Sequence, residues 1–127
     1  MKAVLPEHTE AMLLMRAVRG AEPDWPELRF FAAIPNGGHR ARRTAGRLKA
    51  EGVRRGVPDY LFPLRRGGFA GLAIELKTTA GRASAEQRAW LDHLRANGWH
   101  AEVCRGWQEA WAVVRDYLAG DGPEETP

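Results

Sequence analysis

The sequence has one cysteine, Cys104, so no disulfide can form within the chain. A lone thiol suits a reducing compartment, and a packed core rather than cross-links must supply stability. No apolar run approaches the roughly 20 residues needed to span a bilayer. Residues 1–10 also lack the apolar stretch of a secretory leader. A cytoplasmic protein without a membrane partner is the expectation. The four histidines, His8, His39, His93 and His100, show no metal-ligand spacing. Cys104 has no evident histidine partner and reads as a core residue rather than a nucleophile. Lysine is scarce: 16 of the 19 basic residues are arginines, and net charge is only +3. Acids are scarce locally. From His39 to Arg55, Arg40, Arg42, Arg43, Arg47, Lys49, Arg54 and Arg55 face a single acid, Glu51. Phosphate is the usual partner of such a segment, although an arginine-rich helix can equally be a solvated face.

The chain is long enough for one domain, residues 1–119, followed by a Gly-, Pro- and Glu-rich tail, 120–127. Apolar residues make up 44% of it, including five tryptophans and four phenylalanines, enough for a substantial core. Most tryptophans fall on apolar stripes and read as core. Trp25, in a proline-rich loop, is a candidate for base stacking or a dimer contact. The hydrophobic spacing predicts a helix over Pro6–Arg19, with Ala11, Leu14, Met15 and Val18 on one stripe. Glu7 extends that stripe and Glu10 flanks it. A strand is expected over 28–34, closed by Pro35-Asn36-Gly37-Gly38, then a helix over 39–51. Two strands follow, joined through Arg65-Arg66-Gly67-Gly68. Ser84 to Gln87 fits a capping box opening a helix to about Asn97. A strand, His100–Arg105, with Val103 and Cys104 as its buried pair, and a helix, Trp107–Leu118, complete an α-β-α-β-β-α-β-α order. The fold class is α/β, a four-stranded mixed sheet flanked by helices, with a parallel crossover from Leu72 to Arg105.

The chain is organised around Gly56-Val57-Pro58-Asp59 and Gly71-Leu72-Ala73-Ile74-Glu75-Leu76-Lys77. Alternation along a strand puts Leu72, Ile74 and Leu76 on one face and Ala73, Glu75 and Lys77 on the other. If Asp59 lies on the neighbouring strand, two carboxylates and a lysine meet at one end of the sheet. Such a set can hold a divalent cation and an activated water. Read without that chemistry, Asp59 is a turn residue and Glu75 with Lys77 a surface pair.

Pro58-Asp59 followed by Glu75-Leu76-Lys77 resembles the PD-(D/E)XK nuclease signature. Ile34-Pro35-Asn36-Gly37-Gly38-His39-Arg40, Leu48-Lys49-Ala50-Glu51-Gly52-Val53 and Gly56-Val57-Pro58-Asp59 resemble its stand-alone VRR-NUC branch. Gly81, Ser84, Gln87, Trp90-Leu91, Leu94 and Gly98 extend the match in order. The resemblance implies a restriction-endonuclease-like core and a Mg²⁺- or Mn²⁺-dependent endonuclease, with no organic cofactor. It implies Asp59, Glu75, a first-helix acid and the Leu76 backbone carbonyl as metal ligands. Lys77 would be the catalytic lysine and Gln87 a supporting residue, although the capping box already accounts for Gln87. Glu7 fits the first-helix acid by register, with Glu10 the alternative. Small members of the branch, phage or bacterial, are homodimers acting on branched DNA such as Holliday junctions. Asn36, His39, Arg40, Arg42, Arg43, Arg47, Lys49, Arg65 and Arg66 are then candidate DNA contacts. The rival expectations are a non-catalytic nucleic-acid-binding module on the same fold, and a nuclease of RNA, flaps or linear duplex.

Overall fold

A computed structural model describes residues 4–35, 42–120 and 122. The first helix, α1 (Glu7–Ala21), starts where Pro6 supplies a fixed φ of −57° at the N-cap, and carries Glu7 and Glu10 in its first turn. Its buried seam is Glu10, Leu14 and Val18, spaced by four, with Ala11 and Met15 partly buried beside it. Glu10, not Glu7, therefore lies on the core-facing line; Glu7 is exposed.

The strand expected over 28–34 is replaced by a 3₁₀ helix, Pro26–Phe30, and a two-residue strand β1 (Ala32–Ala33). The reason is spacing. Leu28 and Phe31 are both buried while Phe30 is exposed. A three-residue turn brings positions three apart to one side, whereas strand alternation would separate them. Pro26 in the first turn and the bond from Phe31 N–H to the Leu28 carbonyl close that turn. The remaining edge strand is short, which limits pairing with other chains.

α2 (Arg42–Ala50) carries no fully buried residue among those whose side chains are described; Leu48 is half-buried. The turn at Asn36–Gly38 and the helix start expected at His39 lie outside the described residues.

β2 (Tyr60–Phe62), β3 (Leu72–Lys77) and β4 (His100–Arg105) complete a sheet of order β1-β2-β3-β4. β1 and β3 flank β2 antiparallel, and β4 runs parallel to β3 after the helix α3 (Ala85–Ala96). The last helix is α4 (Trp107–Leu118). α1 and α4 cover one face, burying Leu72, Ile74, Leu76, Phe62 and Cys104 against Leu14, Val18, Ala110 and Val114. α3 covers the other, with Leu91 on Ala73 and Ala101. β3 is thus buried on both faces, and alternation divides its side chains as the sequence indicates. On β4 alternation also separates the expected pair: Cys104 is buried among α4 contacts, and half-buried Val103 lies on the α3 side. None of the tryptophans is fully buried, although Trp99, Trp107 and Trp111 pack against the core. Trp25 is exposed and Trp90, Trp99, Trp107 and Trp111 are half-buried, so they seal margins.

One glycine fixes the approach to β2. Gly56 has φ +89°, and a Cβ there would lie 2.6 Å from the Glu86 carbonyl carbon and 2.9 Å from Gln87 N. The backbone before Asp59 can therefore rest directly on the first turn of α3. Gly56→Ala is expected to lower unfolding free energy by ~2 kcal/mol or more, from strain and clash together. Gly46→Ala, within α2 and with nothing inside 4 Å of the added Cβ, is expected to raise it by ~0.5–1 kcal/mol. Denaturant titration of both variants checks the pair.

Candidate active site

Asp59 immediately precedes β2. Extending the antiparallel register of Tyr60 with Ile74 by one residue sets Asp59 across from Glu75. Its carbonyl accepts from Ile34 N at 2.7 Å, which ties the segment to β1. Its carboxylate Oδ2 accepts from Leu76 N at 2.8 Å, which ties it to β3. Asp59 is therefore the point where three strands are joined, not a free turn residue. The first of these bonds fixes its backbone and the second its carboxylate.

Glu75 is 1% exposed. Its Oε1 accepts from Gln87 Nε2 at 2.8 Å and faces Lys77 Nζ at 3.5 Å. Its Oε2 is buried with no hydrogen-bond partner. Buried polar atoms are almost always satisfied, and an orphan costs about 1–3 kcal/mol. Burial, then the neighbouring Asp59 carboxylate, push Glu75 up to about 8, against the opposing pull of Lys77. Asp59 is also raised, by burial first, although the Leu76 N–H, a proton shared with Glu75 and the charge of Lys77 oppose this. Two adjacent carboxyl groups that resist ionisation, with one unpaired oxygen, lack positive charge. A hard divalent cation answers that lack, because it takes oxygen ligands and favours both ionised forms.

Gln87 does two jobs. Its backbone N–H donates to Ser84 Oγ at 3.1 Å, and its Oε1 accepts from Ser84 N at 2.8 Å, completing the capping box. Once Oε1 is committed to the cap, the amide nitrogen must point away from it, and it donates to Glu75. The cap and the site contact are consequences of one rotamer. In sequence they look like alternatives.

The first-helix acids divide. Glu10 Oε2 accepts from Trp107 N at 2.6 Å, so this carboxylate caps the start of α4. Glu7 is exposed; its charge, with that of Asp59 and after burial, helps push the Tyr60 hydroxyl up to about 12. Among the described residues no group of three His, Cys, Asp or Glu side chains converges as a metal set. Asp59, Glu75 and Lys77 come together; neither Glu7 nor Glu10 completes them as a third acid.

Of the candidate phosphate contacts, Asn36, His39 and Arg40 lie outside the described residues, as do the side chains of Arg42 and Arg43. Lys49 and Arg65 are exposed. Arg47 is exposed beside Glu51 at 3.7 Å, a pair of little energetic consequence. Arg66 is withdrawn: its side chain is 17% exposed and its guanidinium is bound to Glu27 at 3.0 Å. A cavity of about 300 Å³ lined by Arg66, Phe69, His100, Glu102 and Tyr117 opens beside β4, where β3 begins rather than where Glu75 and Lys77 lie. Its His100 is paired with Glu102, and its Tyr117 hydroxyl with the Leu64 carbonyl. Cys104 is buried and its thiol pushed up to about 12, chiefly by burial, consistent with an inert core position.

Residues 13–108 match the family model of the VRR-NUC domain. No curated protein matches the sequence. A solved structure described as a VRR-NUC domain protein shares the fold with TM-score 0.78, at 23% identity over 95% of each chain.

The electrostatics set a pH dependence for the cation-free protein. Glu75 has an ordinary value of 4.5 and a folded value of about 8, so the folded state holds the extra proton between them. Stability is then greatest below pH 4.5 as far as this group is concerned, and falls as pH rises towards 8. Thermal unfolding in EDTA should show that decline, and Glu75→Gln should flatten it.

Proposed function

The chain belongs to the VRR-NUC domain family, a nuclease-type family, and on that premise we propose that it is a Mg²⁺- or Mn²⁺-dependent endonuclease acting on branched DNA. The observation that carries this reading is the unpaired Glu75 Oε2 beside Asp59, with the Lys77 ammonium on the same face of β3. A retired binding module has no physical reason to keep a buried, unpartnered oxygen on a carboxyl group that also neighbours a second carboxyl and an amine.

Asp59, Glu75 and the Leu76 backbone carbonyl are the groups that would hold the cation, with Glu7 on α1 kept as a candidate for a further, water-bridged contact. When bound, such a cation supplies a water of lowered pKa and positive charge beside the scissile phosphate. The chain's own residues prepare that place. Leu76 N–H anchors one Asp59 oxygen, so the carboxylate cannot swing away. Gln87 fixes the plane of the Glu75 carboxylate by holding Oε1, which leaves Oε2 available. Lys77, whose side chain is 15% exposed, keeps its Nζ 3.5 Å from Glu75 Oε1, where it would meet an incoming phosphate. There it stabilises charge growing on the phosphoryl oxygens, a role realised mainly in the transition state.

Exposed Lys49 and Arg65, with the arginines of α2, supply phosphate contacts. Such contacts position a duplex without reading its bases, which favours selection by DNA shape. A homodimer, which the family resemblance implies, would present two such sites to the arms of a junction.

A panel of four-way junction, flap, linear duplex and RNA, with Mg²⁺ and with EDTA, tests the reading. Cleavage of the junction above the others and its loss in EDTA are expected. Preferred cleavage of RNA or of unbranched duplex would replace the substrate class, and cleavage undiminished by EDTA would remove the mechanism. Lys77→Ala and Asp59→Ala should lower the cleavage rate by roughly 10²–10³-fold while junction binding survives. Affinity should fall with salt by about 0.9 log units per log unit for each phosphate neutralised.

A further inference from the structure

Lys77 has a long side chain with up to about 2 kcal/mol of rotamer entropy. Something must restrain it if its ammonium is to act at a fixed place. The Glu75 contact, at 3.5 Å, holds one end of it. The turn after β3 runs beside the stem: the position a Cβ would take at Gly81 lies 3.6 Å from Lys77 Cβ and 3.5 Å from Lys77 Cδ, so this backbone flanks the lysine. Gly81 N also closes the turn on the Thr78 carbonyl at 3.2 Å.

That turn is itself held from β4. Arg105 is the register partner of Lys77 on the parallel neighbour, so its side chain leaves the sheet on the same face. Its Nη1 donates to the Thr78 carbonyl at 3.1 Å and also to the Gly81 carbonyl. One guanidinium therefore bridges both ends of the turn. The backbone adds a second tie at this point, Gly106 N to the Lys77 carbonyl at 2.9 Å.

We propose that Arg105 is a positioning residue for Lys77: by clamping the 78–81 turn, it keeps a wall against the lysine stem and the ammonium beside Glu75. The proposal rests on the catalytic role assigned to Lys77, but its geometric half does not. Arginine suits the task because the two N–H bonds of Nη1 are held in the plane of a rigid guanidinium, one for each carbonyl, whereas a lysine ammonium is a point donor on a flexible stem. The rival role is direct contact with DNA phosphate, since Arg105 is exposed.

The test uses the full chain with Arg105→Ala, Arg105→Lys, Lys77→Ala and the Arg105→Ala/Lys77→Ala double variant. Acetylation of Lys77 by acetic anhydride, followed by mass spectrometry, reads the geometry without requiring any cleavage. Labelling of Lys77 should rise several-fold in Arg105→Ala relative to the parent protein. In junction cleavage, Arg105→Ala should lower kcat by between ~10- and ~100-fold with KM little changed, as for a misplaced catalytic group. In the Lys77→Ala background the same change should cost almost nothing, because its effect passes through the lysine. Guanidinium ion added to Arg105→Ala should restore part of the rate. Arg105→Lys should rank between parent and Arg105→Ala. Unchanged Lys77 labelling overturns the proposal whatever the activity. A raised KM, a reduced salt slope and full additivity with Lys77→Ala would assign Arg105 to phosphate binding instead. If the parent protein cleaves none of the substrates, the proposed function fails, while the labelling still decides whether Arg105 holds Lys77. Arg105 is exposed and outside the core, so the variants should fold; circular dichroism checks that.

Discussion

A carboxylate buried on the central strand of the sheet is the constraint from which the local architecture follows. Glu75 lies between Ala73 and Lys77 on the face that α3 covers, and is almost wholly removed from water. A buried charge is tolerated only when it is paired or hydrogen-bonded. The protein supplies part of what is needed and leaves the rest open. Gln87 and Lys77 attend Oε1, while Oε2 has no partner. Asp59 aggravates the electrostatics rather than relieving them. Without a cation, Glu75 keeps its proton up to about pH 8; the proposed cation would supply the positive charge that lets both carboxyl groups ionise.

The surrounding elements are then the means of holding this deficit still. Asp59 is locked to β1 through its backbone carbonyl and to β3 through its carboxylate. Gln87 is locked by its own cap, and Gly56 lets the Asp59 segment lie against the same turn of helix. The carboxyl groups are thus set by strand ladders and a helix terminus rather than by loops, the kind of support that keeps site geometry tight. On the α1 side of the sheet the Glu10 carboxylate accepts from Trp107 N and caps α4. A buried acid on the α1 seam helps join two helices there, and that use competes with metal ligation. Glu7, one turn earlier and in water, is free of that commitment but lacks its rigidity.

Much of this was legible because alternation along a strand is a strict rule. Once Leu72, Ile74 and Leu76 are assigned to the core, Glu75 and Lys77 must share the other face, and the fold order follows from clear breaks at Gly and Pro. Spacing alone fails where two periodicities compete. Phe30-Phe31 looks like a strand, yet burial of Leu28 with Phe31 selects a 3₁₀ turn. On α1 the apolar stripe suggests Glu7 as its extension, but the buried line runs through Glu10, a difference of about 60° in helix rotation that small residues such as Ala11 do not specify. Arg66 looked available because its partner, Glu27, is 39 residues away. No local pattern announces a pair of that separation. The tryptophans misled for another reason: their large surface lets them bridge core and solvent, so an apolar stripe does not imply full burial.

The same accounting explains how so small a protein sustains an unfavourable site. The cost is confined to one face of one strand. On the other face of β3, Leu72, Ile74 and Leu76 are each essentially inaccessible to water. Burying side chains of that size contributes about 1.5–3 kcal/mol apiece, enough to offset an orphaned oxygen and a reluctant carboxyl pair. A strand covered on both faces can therefore carry opposite duties on alternate residues, with odd positions arranged for charge and even positions for packing. The two duties remain separable only while the register holds. A one-residue slip would exchange the faces and bury Glu75 among α1 and α4, which ties the integrity of the site to the sheet itself. The parallel pairing with β4 and the antiparallel pairing with β2 fix that register from both sides. Placing the carboxylate on the central strand, rather than on the short edge strand β1, thus protects the geometry that the proposed chemistry requires.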